Sequence, residues 1–96
     1  MIFEQSGPEY GDATAPYNVI LKENNVCVGK FIKDMLKQRP DDWGDIYIPY
    51  CSNIRYVKGR IITGFLLLDE VYHRKIKRIR ANGGWGLMNY FIEVED

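Results

Sequence analysis

The chain has 96 residues, with thirteen Lys plus Arg balanced by thirteen Asp plus Glu and only two cysteines. That length suits one domain spanning 1–96, and 46% hydrophobic with 14% aromatic content excludes a disordered polymer. Two cysteines cannot build a small disulfide scaffold, no apolar run approaches the roughly 20 residues of a membrane span, and zero net charge excludes a protein basic all over.

The first residues, Met1-Ile2-Phe3-Glu4-Gln5, lack the basic and apolar regions of a secretory signal. Ile2 and the final Val94-Glu95-Asp96 carry no lipidation motif. The expectation is a cytoplasmic protein, off the membrane, with Cys27 and Cys51 as free thiols. Whether these two could pair depends on their separation.

Met1 to Phe3 can add a short strand, and residues 4–16 form an irregular lead-in punctuated by Gly7-Pro8, Gly11 and Ala15-Pro16. Tyr17 to Lys22 is rich in strand formers and closes at Asn24-Asn25. The clearest signal follows. Val28, Phe31, Ile32, Met35 and Leu36 recur at the spacing of one helical stripe, with Lys30, Lys33, Asp34, Lys37 and Gln38 opposite. The spacing predicts a helix over 28–38, which Pro40 prevents from continuing.

Asp41-Asp42-Trp43-Gly44 reads as a turn, and Asp45 to Tyr50 as a strand. Pro49 cannot donate to a ladder, so that strand belongs at an edge or stops near Ile48. Ile54 to Val57 and Arg60 to Thr63 flank Lys58-Gly59 and predict a hairpin. Residues 65–80 admit two readings. Leu68, Tyr72, Ile76 and Ile79 fit one basic amphipathic helix. The favoured alternative is a short helix from Leu68 to Arg74 followed by a strand from Lys75 to Ala81. Asn82-Gly83-Gly84 then reverses the chain into a final strand, where Met88, Tyr90, Ile92 and Val94 alternate with Leu87, Asn89, Phe91 and Glu93.

The predicted architecture is α+β: a mostly antiparallel sheet of about five strands, order β-α-β-β-(short α)-β-β, with one principal helix (28–38) on one face. Thirteen aromatic residues exceed what one helix–sheet layer needs. Either the second sheet face carries aromatics for a partner, or loops fold back to bury them.

Motifs for chemistry are sparse. His73 is the sole histidine, so any imidazole base must be His73. Cys27 lies at the start of the predicted helix, where backbone N–H groups favour a thiolate. A thiol-dependent enzyme using Cys27 is therefore one alternative, against a reading in which a small residue caps the helix. Neither a protease signature nor a nucleophile elbow supports it. Two cysteines 24 residues apart make no zinc site, and Asp41, Asp42 and Asp45 lack the ligand pattern of a calcium loop. Gly83-Gly84-Trp85-Gly86 lacks phosphate-loop spacing. No cofactor, metal or catalytic residue is assigned, and no family's motif is matched residue by residue.

Charge distribution is the functional lead. Residues 51–80 hold eight bases, namely Arg55, Lys58, Arg60, Arg74, Lys75, Lys77, Arg78 and Arg80, against Asp69 and Glu70, a net +6. Both ends of the chain are acidic. If the 54–63 hairpin and the 75–80 strand are neighbours, much of that charge shares one surface, with Tyr56, Phe65 and Tyr72 interleaved. The expected function is a non-catalytic interaction or regulatory protein. Its partner-binding residues would be Arg55, Tyr56, Lys58, Arg60, Arg74, Lys77, Arg78, Arg80 and Trp85. A protein partner is expected first, single-stranded nucleic acid second, and a homodimer is open. The competing reading is a solvated basic edge that discourages aggregation.

Overall fold

In a computed structural model, the structure describes residues 3–5, 17–48, 53–63, 68–84 and 86–95. Strands β1 (Phe3–Gln5) and β2 (Tyr17–Leu21) precede helix α1 (Val28–Gln38). Then come β3 (Trp43–Tyr47), β4 (Ile54–Val57), β5 (Arg60–Thr63), a short α2 (Leu68–Val71), β6 (Ile76–Gly84) and β7 (Leu87–Val94). The seven described strands form one sheet in the order β1-β2-β6-β7-β3-β4-β5. The class is α+β, as expected, but with seven described strands rather than about five. The sheet is mixed, because β3 runs parallel to β7 while every other neighbour is antiparallel.

Helix α1 forms where its stripe predicts. Val28, Phe31, Ile32 and Met35 are all buried. The helix ends at Gln38, with the N–H of Arg39 closing back on Met35 O at 3.0 Å. Phe31 anchors it across the sheet, its ring centroid 4.9 Å from Phe3 and 5.3 Å edge-on from Tyr90. Each such side chain removed from water contributes about 1.5–3 kcal/mol, so this layer holds helix to sheet. Its sheet side is Val19, Ile46, Ile54, Tyr56, Ile79, Ala81, Met88, Tyr90 and Ile92.

Several expectations are corrected. Trp43 and Gly44 are strand rather than turn, so β3 starts two residues early. Of the two outcomes that Pro49 left open, the stop near Ile48 holds: β3 ends at Tyr47 and lies between β7 and β4, not at an edge. Asn82-Gly83-Gly84 continues β6, with Gly84 paired to Leu87, so the chain reverses only after Gly84. The single-helix reading of 65–80 is overturned in favour of the short helix and strand. Ile76 and Ile79 both face the core because the β6–β7 register shifts between Ile76 and Arg78. The extra residue of that bulge turns a spacing of two into three, which imitates a helical stripe.

The predicted hairpin is present, with Val57 opposite Arg60. Lys58 (φ 50°) and Gly59 (φ 79°) both take left-handed backbone, as a two-residue turn matched to strand twist requires. Glu4 and Gln5, expected to open the irregular lead-in, are instead paired in β1 with Ile20 and Val19; the rest of the lead-in, 6–16, together with Tyr50, Cys51, Phe65 and Trp85, lies outside the described residues.

Candidate functional site

The sheet has two unlike faces. Along β3, Gly44 and Ile46 point to the helix, while Trp43, Asp45 and Tyr47 point away. Along β7 the outward set is Leu87, Asn89, Phe91 and Glu93, alternating with buried Met88, Tyr90 and Ile92. Registers carry the same alternation outward to Arg78, Arg80 and Asn82 on β6, Arg55 and Val57 on β4, and Arg60 and Ile62 on β5.

These residues fall into rungs. Asn82, Asn89, Asp45 and Arg55 lie side by side on four consecutive strands and are linked by hydrogen bonds. Asn89 Nδ2 donates to Asn82 Oδ1 at 3.2 Å, and Asn89 Oδ1 accepts from the Asp45 N–H at 3.2 Å. Asp45 Oδ1 lies 3.3 Å from Arg55 Nε, and Tyr47 OH donates to Asp45 Oδ2 at 3.1 Å. Burial, then this bond to Asp45 and the carboxylate's charge, push the Tyr47 phenol upward, while Arg55 opposes them. On the next rung, Tyr47 and Phe91 stack with centroids 5.0 Å apart and planes 11° from parallel. Beyond it Arg78 is ion-paired with Glu93. The Arg78 hydrogen bond holds the Glu93 carboxyl below the usual glutamate range, with burial opposing it and the charges of Arg78, Arg80 and Lys77 adding to it.

The opposite rung is apolar: Leu87, Trp43 and Val57, ending in Arg60. Among the described residues, the large hydrophobics left exposed are Ile20 (51%), Trp43 (50%), Ile62 (53%) and Leu87 (48%). All four lie on this outer face. Trp43, Leu87 and Val57, with Gly44, Asp45 and Arg55, line a groove of about 290 Å³. Trp43 and Leu87 also wall a hollow beside Asp41 and Gly86. Small-molecule pockets usually run from about 300 to 1,000 Å³ and enclose their ligand, so this open groove suits one or two side chains.

The groove depends on how closely β3 approaches β7. A Cβ added to Gly44 would stand 1.6 Å from Met88 O and 2.5 Å from the Tyr56 hydroxyl. Glycine leaves room for Tyr56 OH to donate to Met88 O at 2.7 Å, which ties β4 to β7 beneath β3. Trp43 N–H donates to Gly86 O at 2.8 Å, fixing the end of the groove. Among protein-family models, curated proteins and solved structures, none matches this chain.

The residues singled out from sequence disperse. The hairpin and the 75–80 strand are not neighbours, because β7 and β3 separate β6 from β4, a gap of roughly 14 Å at ordinary strand spacing. Arg55, Arg60, Arg78 and Arg80 still share the outer face, in two groups with Asp45 and Glu93 between them. Lys58 stands in the hairpin turn, and Lys77 is the exposed bulge residue. Arg74 lies at the helix side, its carbonyl accepting the Val28 N–H at 3.0 Å. Tyr56 is fully buried against Tyr90, so its ring faces the core and not the surface. Tyr72 is only partly buried, its ring over Gly29.

Cys27 precedes α1 with no side-chain cap bond, and the N–H groups of Val28 and Gly29 are taken by the carbonyls of Arg74 and Tyr72. Two of the helix-end donors that would favour a thiolate are thus occupied. Among the described residues no group of His, Cys, Asp and Glu could hold a metal ion, and no helix is long and apolar enough to cross a membrane. Sequence reasoning missed Trp43, Asp45, Tyr47, Leu87 and Phe91 as surface residues. Their alternation with Gly44, Ile46, Met88 and Tyr90 is the signal that finds them, once Trp43 is read as strand.

Proposed function

We propose that this protein is a non-catalytic interaction protein that binds a protein partner through the outer face of its sheet. The observation carrying this reading is that Trp43, Leu87, Ile62 and Ile20, the described large hydrophobics left half-exposed, all fall on the face away from α1. A sheet face of this kind normally alternates polar residues outward, and concentrated apolar exposure marks interaction surfaces. Trp, Tyr and Arg, which dominate binding energy at protein interfaces, are all present there.

A protein fits better than a polyanion. Asp45 lies in the middle of the face and Glu93 on it, each engaging an arginine. Tyr47 and Phe91 each turn one ring face to the other, which removes part of the surface on which bases would stack. Quantitative capture from native lysate tests the reading with three baits: wild type, Trp43→Ala/Leu87→Ser, and Lys33→Glu on the exposed side of α1. Partners kept by wild type and Lys33→Glu but lost by the double variant support it. Identical partners for all three refute it. Single-stranded nucleic acid is the second reading, drawn from the four arginines on this face. It requires oligonucleotide binding at low salt that weakens steeply as salt rises.

A further inference from the structure

We infer that the Trp43 corner of this face takes an extended peptide segment of the partner, in which an acidic residue stands four positions from an aromatic or branched apolar residue. The inference rests on the outer face being the binding surface and adds the chemistry of what occupies it.

The corner is electrically lopsided. Arg60, Val57, Trp43 and Leu87 follow one another across β5, β4, β3 and β7. Lys58 stands exposed in the turn beside Arg60, and Arg55 lines the groove. Cationic charge therefore gathers at the β4–β5 end. Asp41 lies beside Trp43, Gly86 and Leu87, in a segment whose Pro40 and Asp42 pack against the Lys58–Gly59 turn, and Asp45 engages Arg55 in the groove itself. A ligand with its negative charge at one point, over Arg60, meets attraction there and avoids the two carboxylates. A phosphate backbone, charged along its whole length, would run over both. Next to these charges, Val57, Trp43 and Leu87 form an apolar strip that one large side chain can cover.

Spacing follows from strand geometry. Arg60 and the Trp43–Leu87 part of the strip are two to three strand steps apart, roughly 10–14 Å at about 4.8 Å per step. An extended peptide rises about 3.3 Å per residue and its side chains alternate between two faces, so an acid and an apolar anchor that both meet this sheet stand four residues apart, about 13 Å. Ile62, exposed on the neighbouring rung of β5, widens the apolar rim beside Arg55.

The full-length protein is panned against phage-displayed random dodecapeptides, and the enriched sequences are synthesised. The expected result is enrichment of Asp or Glu four positions from Trp, Phe, Leu or Ile. Binding of the synthetic peptide should fall about 30-fold or more in Trp43→Ala, as at an interface hot spot. Leu87→Ser serves as the second variant should Trp43→Ala unfold. Arg60→Glu should lose binding and regain it when the peptide acid is replaced by Lys, while Lys33→Ala on the exposed side of α1 should stay within about twofold. No enrichment, or peptides without an acid, overturns the inference. So does binding indifferent to Arg60→Glu. If lysate capture still depends on Trp43 and Leu87 in any of those cases, the outer-face reading stands and only the peptide chemistry fails. A dimer of the protein alone that Trp43→Asp dissociates, or oligonucleotide binding lost in Trp43→Ala, names a different occupant and likewise overturns it.

Discussion

Replacing Gly44 with alanine tests the packing on which the outer face depends. The new Cβ would lie 1.6 Å from Met88 O and 2.5 Å from the Tyr56 hydroxyl. The first contact is with backbone, so β3 and β7 must move apart. Overpacking of this kind costs about 1–3 kcal/mol. The displacement also breaks the Tyr56–Met88 hydrogen bond, 2.7 Å long and buried, at about 1–3 kcal/mol. Together these take roughly 2–6 kcal/mol from a total stability of about 5–15 kcal/mol. At about 4–8 °C per kcal/mol for a domain of this size, Tm should fall by at least about 8 °C. Thermal melts by circular dichroism measure it, and urea unfolding followed by tryptophan fluorescence measures the lost stability. Tyr56→Phe isolates the hydroxyl. Because both changes remove the same hydrogen bond, the double variant should lose less than the sum of the singles. A Gly44→Ala protein within about 0.5 kcal/mol of wild type would refute the close approach of β3 to β7.

Three further outcomes are expected. Burial raises the Tyr56 phenol well above its ordinary value, with Tyr90, Asp42 and Asp45 adding and Arg39 opposing; the unfolded chain therefore gives up this proton first. The associated stability is intact below about pH 10 and falls above it by up to about 1.4 kcal/mol per pH unit, and urea midpoints from pH 9 upward should show a slope that Tyr56→Phe reduces. Arg78→Ala removes the hydrogen bond that lowers the Glu93 carboxyl, so its titration midpoint by NMR should move up; an unchanged midpoint would dissolve the ion pair. Lys58 holds φ 50° in the hairpin turn, a conformation asparagine tolerates better, so Lys58→Asn should stabilise by about 0.5–1 kcal/mol, read as a higher urea midpoint with unchanged slope.

Local patterns were legible where one neighbour settles them. The α1 stripe and the Lys58-Gly59 hairpin need only contacts within a few residues, and both stand as predicted. Ile76 and Ile79 misled in part because a bulge and a helical turn produce the same spacing, and only pairing with β7 separates them. Asn82-Gly83-Gly84 carries turn residues, yet its pairing with Leu87 to Asn89 keeps it in the strand. Tyr56 sits in a basic stretch that reads as surface, but the inward phase of β4 buries it.

The sequence by itself determined the α+β class, the helix and its buried stripe, the hairpin, and the alternation that divides β7 into two faces, because these depend on periodicity and backbone preference over short spans. Only the tertiary structure decided the rest. Strand order is a non-local choice: β3 pairs with β7 across more than forty residues, helped by the room that Gly44 leaves, and nothing in the local pattern specifies that partner. That choice separates the basic stretches of β6 and the β4–β5 hairpin, which are continuous charge in the sequence. It also gathers Trp43, Leu87 and Val57, remote in the chain, into one apolar strip.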